Sequence, residues 1–209
     1  MQPWIKQIFT HIIELEGGIN SLTNIKNDRG GLTRAGLTAV TVQAFFKTYE
    51  FPNAEKMANL SEDKIYEIYY SIFWYAPQYD KLFKQRQRTA TLYLVDVTVQ
   101  HGQGTAIQIL QNTCNEISRG YNEHGYQTKR LYLNVDGIIG PITIRVASNC
   151  IRFPKFGEIF ARYRQQYYNR LVVLEVENFI EKYPEYEMHL TQHGFLEGWT
   201  NRLIKLTTL

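Results

Sequence analysis

The sequence predicts a mostly helical fold with one small β-hairpin near the N-terminus. First, apolar residues recur at helical spacing from Trp4 to Glu16, and a glycine pair follows at once. Second, Gly, Asp and Thr recur at short intervals over residues 27–38, which is typical of a tight hairpin. Third, much of the remaining 209-residue chain has helical patterns, and its 44% apolar content is enough to form a core.

The predicted elements follow from this periodicity and from residues that start or stop helices. Ser61 precedes an acidic first turn, Pro141 suits the first turn of a helix, and residues 118–129 are polar and should be the least ordered. The predicted helices lie at about 4–16, 39–49, 62–75, 88–101, 105–117, 141–151, 156–183 and 199–206, with the hairpin near 20–38.

Glu16 occupies a position where a carboxylate is electrostatically disfavoured. It follows Ile12 by four residues, which puts it in phase with the apolar stripe of its helix. It also lies at the negative end of the helix dipole, so burial and the dipole both raise its pKa, as a general acid near neutral pH requires. The alternative is a Glu whose charged end reaches solvent, and position alone does not decide between the two.

The hairpin can bring a second carboxyl group towards this helix. Asp28 and Thr33 could face Glu16 across a groove, which is how a glycosidase with two carboxyl groups is assembled. The alternative is a surface turn in which Asp28 bonds to its own backbone, and the hairpin taken alone favours that alternative.

Together these motifs resemble the glycoside hydrolase 108 family, the bacterial and phage N-acetylmuramidases often called secretion activator proteins. The family pattern is roughly E-G-G-x-x-N, a D-P-G-G-x-T turn, and G-I-T. This chain has Arg29 where the family usually has Pro, and Leu37 where it usually has Ile. The matching segments are Glu16–Gly18, Asn20, Asp28–Thr33 and Gly36–Thr38.

The resemblance spans about residues 8–203, and Gln100 stands where the family has Asn. The C-terminal half resembles the peptidoglycan-binding region that accompanies this family. We therefore expect a lysozyme-like catalytic region, 1–90, and a helical peptidoglycan-binding region, 91–209, packed into one body. The further matching segments are Tyr66–Trp74, Asp96–Gly102, Ala106–Gln111, Val135–Thr143 and Phe195–Arg202.

The resemblance implies a lysozyme-like α+β fold and hydrolysis of the β-1,4 bond between N-acetylmuramic acid and N-acetylglucosamine. Glu16 would be the proton donor. As a hypothesis, Asp28 and Thr33 position the attacking water or stabilise the charge at the anomeric carbon. The hairpin backbone would approach the glycan closely at its glycines, which are Gly30, Gly31 and Gly36.

Four side chains are candidates for contact with the sugar rings. Tyr70 and Trp74 offer aromatic planes on which sugars stack, and Gln100 and His101 belong to a segment that matches the family. The alternative for the aromatic cluster over 66–75 is a place in the core, because several of its rings recur at helical spacing.

Charge is uneven along the chain, whose net charge is +3. Residues 119–170 contain nine Lys or Arg and three Asp or Glu, a balance that suits an anionic wall polymer. An ordinary solvated surface is the alternative. No segment resembles a groove-reading motif, which argues against nucleic acid as a partner.

We expect neither a cofactor nor a metal. His189 and His193 have the spacing of a helical zinc pair but lack the following Glu and an obvious third ligand. Cys114 and Cys150 lack the surroundings of a nucleophile, and we expect both to be reduced and buried. A disulfide after release into the periplasm remains open.

The sequence has no run of eighteen apolar residues, and its first residues lack the pattern of a secretion signal. We therefore expect a soluble monomer that is made in the cytoplasm without Sec export and acts on the periplasmic wall. A holin or a dedicated transport system would give it access. Two other functions stay open: a lytic transglycosylase, and a non-catalytic protein that binds the wall or assists secretion.

Overall fold

The computed structural model of the chain describes residues 1–24, 31–48, 50, 52–83, 87–123, 131–182 and 191–207. Over these residues the protein is mostly helical, with a small antiparallel sheet near the N-terminus. The predicted fold class is confirmed.

Helices account for most of the described chain, and a π-helical turn over Ser71–Tyr75 continues the fourth of them. The three strands are β1 (Leu22–Asn24), β2 (Leu32–Arg34) and β3 (Leu37–Thr38), in the order β1-β2-β3. The helices are α1 (Pro3–Leu15), α2 (Ala39–Phe46), α3 (Ala54–Ala58), α4 (Glu62–Tyr70), α5 (Tyr79–Leu82), α6 (Arg88–Glu123), α7 (Pro141–Cys150), α8 (Phe156–Lys182) and α9 (Thr191–Thr207).

Helix α1 ends at the glycine pair, as predicted. The N–H of Gly18 donates to the carbonyl of Ile13 at 2.9 Å, and the N–H of Gly17 donates to that of Glu14 at 3.1 Å. Both glycines have φ near +95°, a conformation that costs glycine little. This is the Schellman arrangement of a helix end, and it makes Glu16 the capping residue.

The predicted hairpin is part of a three-stranded sheet. Strand β2 pairs with β1 and with β3, and Thr33 lies opposite Thr38 in the second pair. The loop between β2 and β3 consists of Ala35 and Gly36, which both have positive φ, as the tightest hairpin loops require. Thr38 then caps α2, because its hydroxyl accepts the N–H of Thr41 at 3.1 Å.

Helix α6 is interrupted at Gly102, where φ is 83° and ψ is 163°. The two helices predicted over 88–101 and 105–117 are therefore the two arms of one long element. The second arm continues to Glu123 and buries Ser118 completely, so the prediction of low order was wrong where that stretch begins. The rest of that stretch, 124–129, lies outside the described residues.

Three other helices differ from the prediction: two short helices were not predicted, and one begins earlier than predicted. Helices α3 and α5 were not predicted, because five and four residues are too few to show a helical period. Asn53 nevertheless starts α3 by accepting the N–H of Lys56 at 2.9 Å. Helix α9 begins at Thr191 and not near residue 199, since Gly194 and Gly198 weaken the pattern there.

The core joins the N-terminal helix to the long central helix. Helix α1 contacts α4 and α6, α8 lies against α6, and α9 lies against α8. Cys114 on α6 and Cys150 on α7 are fully buried, as predicted, and the Cys150 thiol donates to the Cys114 carbonyl at 3.8 Å. Among the described helices, none has both the length and the apolar character needed to cross a membrane.

The break in α6 can be tested with two glycines of the same helix. Gly102→Ala should lower the free energy of unfolding by about 1–3 kcal/mol, because its backbone conformation is nearly exclusive to glycine. Gly104→Ala should raise it by about 0.5–1 kcal/mol, because Gly104 is helical. Neither new methyl group meets another atom within 4 Å. Urea denaturation measures both free energies of unfolding. Similar midpoints for the two variants would contradict a non-helical backbone conformation at Gly102.

Candidate active site

Glu16 lies at the end of α1 with only 22% of its side chain exposed. The loop between β2 and β3 passes directly against it. A methyl group at Gly36 would lie 2.5 Å from Glu16 Cγ and 2.7 Å from the hydroxyl oxygen of Tyr69. Only glycine therefore fits at this point of the loop, and its close approach helps to remove Glu16 from solvent.

Three hydrogen bonds hold this loop in place. Ser21 donates from its hydroxyl to the carbonyl of Gly18 at 2.8 Å, and its own carbonyl accepts the N–H of Ala35 at 3.0 Å. From the other side, the buried hydroxyl of Tyr69 donates to the carbonyl of Ala35 at 2.8 Å. The loop is thus fixed both to the end of α1 and to α4, which fixes its position relative to Glu16.

Glu16 belongs to a cluster of four charged side chains, called the charge cluster below. Its members are Glu16, Asp96, Arg164 and Arg202. Arg202 Nη2 lies 2.8 Å from Glu16 Oε1. Arg202 also donates to Asp96 Oδ1 from Nε at 3.0 Å and from Nη2 at 2.5 Å. Arg164 Nη2 donates to Asp96 Oδ2 at 2.5 Å, and both of these side chains are fully buried.

The surroundings raise the pKa of Glu16. Burial is the largest cause, and the negative charge of Asp96 adds to it, while the positive charge of Arg202 partly offsets both. For Asp96, burial also favours the neutral form, but Arg164 and Arg202 together lower its pKa below the ordinary value. The cluster therefore contains one carboxyl group that stays ionised and another that retains its proton to higher pH than an ordinary Glu.

Gln100 and His101, the candidates from α6, lie next to this cluster. Gln100 Oε1 accepts hydrogen bonds from Arg164 at 2.6 Å and from Tyr168 at 3.3 Å. His101 lies among aromatic rings, and its pKa is lowered to about 4 by burial and by the charge of Arg164. Its contacts are with Tyr167, Tyr168 and Trp199, with ring centres 5.1–5.4 Å apart. In this structure both residues support the cluster, and their contact with substrate stays a prediction.

The two aromatic candidates differ in exposure. Trp74 is 1% exposed and packs edge-on against Trp4 at 5.4 Å, so it is a core residue with no face available to a sugar. Its predicted role in substrate contact is wrong for this structure, because helical spacing does not distinguish a core ring from one that lines a groove. Tyr70 is half-buried at the end of α4, and its contact with substrate stays a prediction.

The hairpin candidates are only partly described. Asp28 and Gly30 lie outside the described residues. Thr33 is half-buried on β2, and its hydroxyl donates to the carbonyl of Gly31 at 3.1 Å instead of to Glu16. Gly31 has φ of +58°, and among the described residues no atom lies within 4 Å of where its side chain would be.

Arg164 and Arg202 were not among the predicted site residues, although Arg202 closes a segment that resembles the family. One local signal existed for their partner, because Asp96 is a single acidic residue within the apolar run over 92–97. A carboxylate at such a position needs a buried cation. The sequence does not indicate which cation approaches it.

The structure also modifies the predicted basic surface. Arg164 is buried against Asp96, and Arg162 pairs with Glu116, so two of the nine cations are neutralised by close partners. Lys129 and Arg130 lie outside the described residues.

Within the described part of the chain, no group of three or more His, Cys, Asp or Glu could hold a metal ion, and His189 lies outside that part.

The overall fold of the chain is similar to that of a solved structure. The structure of Brucella abortus SagA is similar to that of this chain, with 18% sequence identity, 97% of this chain and 91% of that chain covered, and a TM-score of 0.65. No curated protein sequence matches the chain. At this identity the likeness shows a shared fold over nearly the whole length.

A family model matches the N-terminal part of the chain. Residues 9–102, somewhat less than half of the 209 residues, match the model of the family Glycosyl hydrolase 108. The match includes Glu16, Asp96, Gln100 and His101. Arg164 and Arg202 lie beyond it, so the charge cluster joins the family region to the C-terminal region.

The close approach of the loop to Glu16 can be tested with two glycines that share a positive φ. Gly18→Ala should cost about 1–2 kcal/mol of stability from backbone strain alone, since no atom of the described residues lies within 4 Å of its new methyl group. Gly36→Ala should cost about 2–4 kcal/mol, because its methyl group would also overlap Glu16 and Tyr69. Equal losses by chemical denaturation would mean that the loop does not press on Glu16.

Proposed function

We propose that the protein is a peptidoglycan hydrolase of the lysozyme type, an N-acetylmuramidase. It cleaves the β-1,4 bond between N-acetylmuramic acid and N-acetylglucosamine, with Glu16 as the general acid. The observation that carries this proposal is the half-buried carboxyl group at the end of α1, whose pKa is raised and which lies against a hairpin loop. The match of residues 9–102 to the model of a glycoside hydrolase family supports the class of reaction.

The proposed step requires Glu16 to be protonated when the glycan binds. Its hydroxyl donates the proton to the glycosidic oxygen as the bond from that oxygen to the anomeric carbon breaks, and the released sugar leaves with a new hydroxyl group. Glu16 becomes a carboxylate, which the adjacent Arg202 stabilises at 2.8 Å. Water attacks the anomeric carbon and supplies its new hydroxyl group, and the remaining proton of that water passes to solvent, from which Glu16 is protonated again.

The hairpin residues complete this proposal. Asp28 and Thr33 would position the water or stabilise the positive charge that develops at the anomeric carbon. Gly30 and Gly31 would let the backbone approach the glycan, whereas the contact of Gly36 is with Glu16 itself. Tyr70 remains the proposed aromatic contact with a sugar ring.

The remaining parts of the proposal concern access and partners. Glycan strands of peptidoglycan are the proposed substrate, and residues 91–209 are the proposed peptidoglycan-binding region. The protein would be a monomer made in the cytoplasm and would reach the periplasmic wall through a holin or a dedicated transport system.

Two substitutions in the last turn of α1 test the role of Glu16. Glu16→Gln should slow the clearing of a suspension of purified sacculi by about 10²–10⁴-fold, because the amide cannot donate a proton as an acid does. Glu14→Gln, an exposed neighbour, should clear it at the wild-type rate. Glu16→Gln should also be at least as stable as the wild type at neutral pH. A raised pKa means that stability present below the ordinary pKa of a Glu is lost as the ionised form accumulates.

Three outcomes decide the proposal. Equal clearing by Glu16→Gln and wild type would show that Glu16 is not the acid. Mass spectrometry of the released fragments should find reducing ends, whereas anhydro ends would indicate a lytic transglycosylase. A wild-type protein that binds sacculi and releases no fragments would be a wall-binding or accessory protein, and the hydrolase proposal would be wrong.

A further inference from the structure

The charge cluster brings together four helices around one carboxyl group. Glu16 follows α1, Asp96 is on α6, Arg164 is on α8 and Arg202 is on α9. Arg202 is the only member of this cluster that contacts both carboxyl groups. It is separated from Asp96 by 106 residues, so α9 must be folded onto α6 for the contact to exist.

The orientation of Arg202 is fixed before any contact with Glu16 is considered. Two of its nitrogens, Nε and Nη2, donate to Asp96 Oδ1, and Nη1 lies 3.5 Å from the carbonyl oxygen of Leu15 at the end of α1. Asp96 is in turn held by Arg164. The Arg202 side chain is only 10% exposed, so little space remains for it to change position.

We propose that Arg202 is a positioning residue for Glu16, an inference that rests on the proposed function. The guanidinium group has donors and no acceptor, so it pairs more strongly with a carboxyl oxygen that carries no proton than with one that does. Because Arg202 faces Oε1 at 2.8 Å, it favours the form of neutral Glu16 that carries its proton on Oε2. Arg202 thereby selects the oxygen that delivers the proton, and it couples the C-terminal helix to the acid.

The charge of Arg202 also affects the pKa of Glu16. Arg202 favours the ionised form, and Asp96 opposes it from the far side of the guanidinium group. Arg164 also favours the ionised form. Tyr69 from α4 adds no charge, because burial and the nearby Glu16 raise its pKa well above the ordinary value. His101 is neutral at pH 7, because burial and Arg164 lower its pKa to about 4. Among the charged groups around Glu16, Arg202 and Asp96 therefore have the largest effects on its pKa, next to that of burial.

The test compares Arg202→Met, which removes the charge, with Arg202→Lys, which keeps it. Rates on soluble peptidoglycan fragments are measured from about pH 4 to about pH 9, together with kcat and KM. Arg202→Met should lower kcat by about ten- to a hundredfold with little change in KM, because the proton donor is misdirected and substrate binding is not. The alkaline limb of its pH–rate profile should move to higher pH, since the variant lacks a cation that favours the ionised form of Glu16. Arg202→Lys should leave the limb in place and recover part of kcat.

Lys205→Met is the matched control, because this exposed cation lies on the same helix and outside the charge cluster. It should keep the wild-type kcat and alkaline limb. Partial unfolding reduces the amount of active enzyme without moving the limb, so a lower kcat with an unmoved limb in Arg202→Met would mean a structural role only and would overturn the proposal. If Arg202→Met does not fold, Arg202→Lys decides alone: its kcat should fall at least about fivefold, and a wild-type kcat would overturn the proposal.

Failure of this inference is distinct from failure of the proposed function. If Glu16→Gln is inactive while both Arg202 variants behave like the wild type, Glu16 is the acid and Arg202 does not position it. If Glu16→Gln is as active as the wild type, the proposed function itself is wrong, and the positioning role is overturned with it.

Discussion

The buried carboxylate of Asp96 is the group on which the geometry of the site depends. It binds Arg164 and Arg202, which follow it by 68 and 106 residues, and so it holds α8 and α9 against α6. Removing one partner from a buried ion pair typically costs about 3–5 kcal/mol, because the other charge is left without compensation. The same contact that stabilises the packing of these helices also places a guanidinium group beside Glu16.

The site therefore extends beyond the region that defines the family. Residues 9–102 contain Glu16, Asp96 and the hairpin, but both cations of the charge cluster come from the C-terminal part of the chain. A fragment limited to the family region would contain a buried Asp96 without its guanidinium partners. The C-terminal helices thus contribute to the electrostatic surroundings of Glu16.

Local features of the fold were predictable from the sequence, and long-range ones were not. The helix end after Glu16 and the cap at Thr38 follow from the residues at those positions, because each depends on bonds across a few residues. The contact of Glu16 with Arg202 depends on tertiary packing, for which the sequence has no local pattern. Trp74 shows a second limit, because the spacing that predicts its helix does not say whether its ring faces the core or a groove. Asp96 could have been recognised as a buried charge from its apolar neighbours, although its partners could not.

Burial keeps Glu16 protonated at a higher pH than an ordinary glutamate. The direct measurement is an NMR titration of the side-chain carboxyl carbons in protein labelled with ¹³C-glutamate, with the Glu16 resonance assigned from its loss in Glu16→Gln. We expect the Glu16 carboxyl group to titrate at clearly higher pH than an ordinary glutamate side chain, because it is largely buried. Titration of Glu16 within or below the ordinary glutamate range would contradict this.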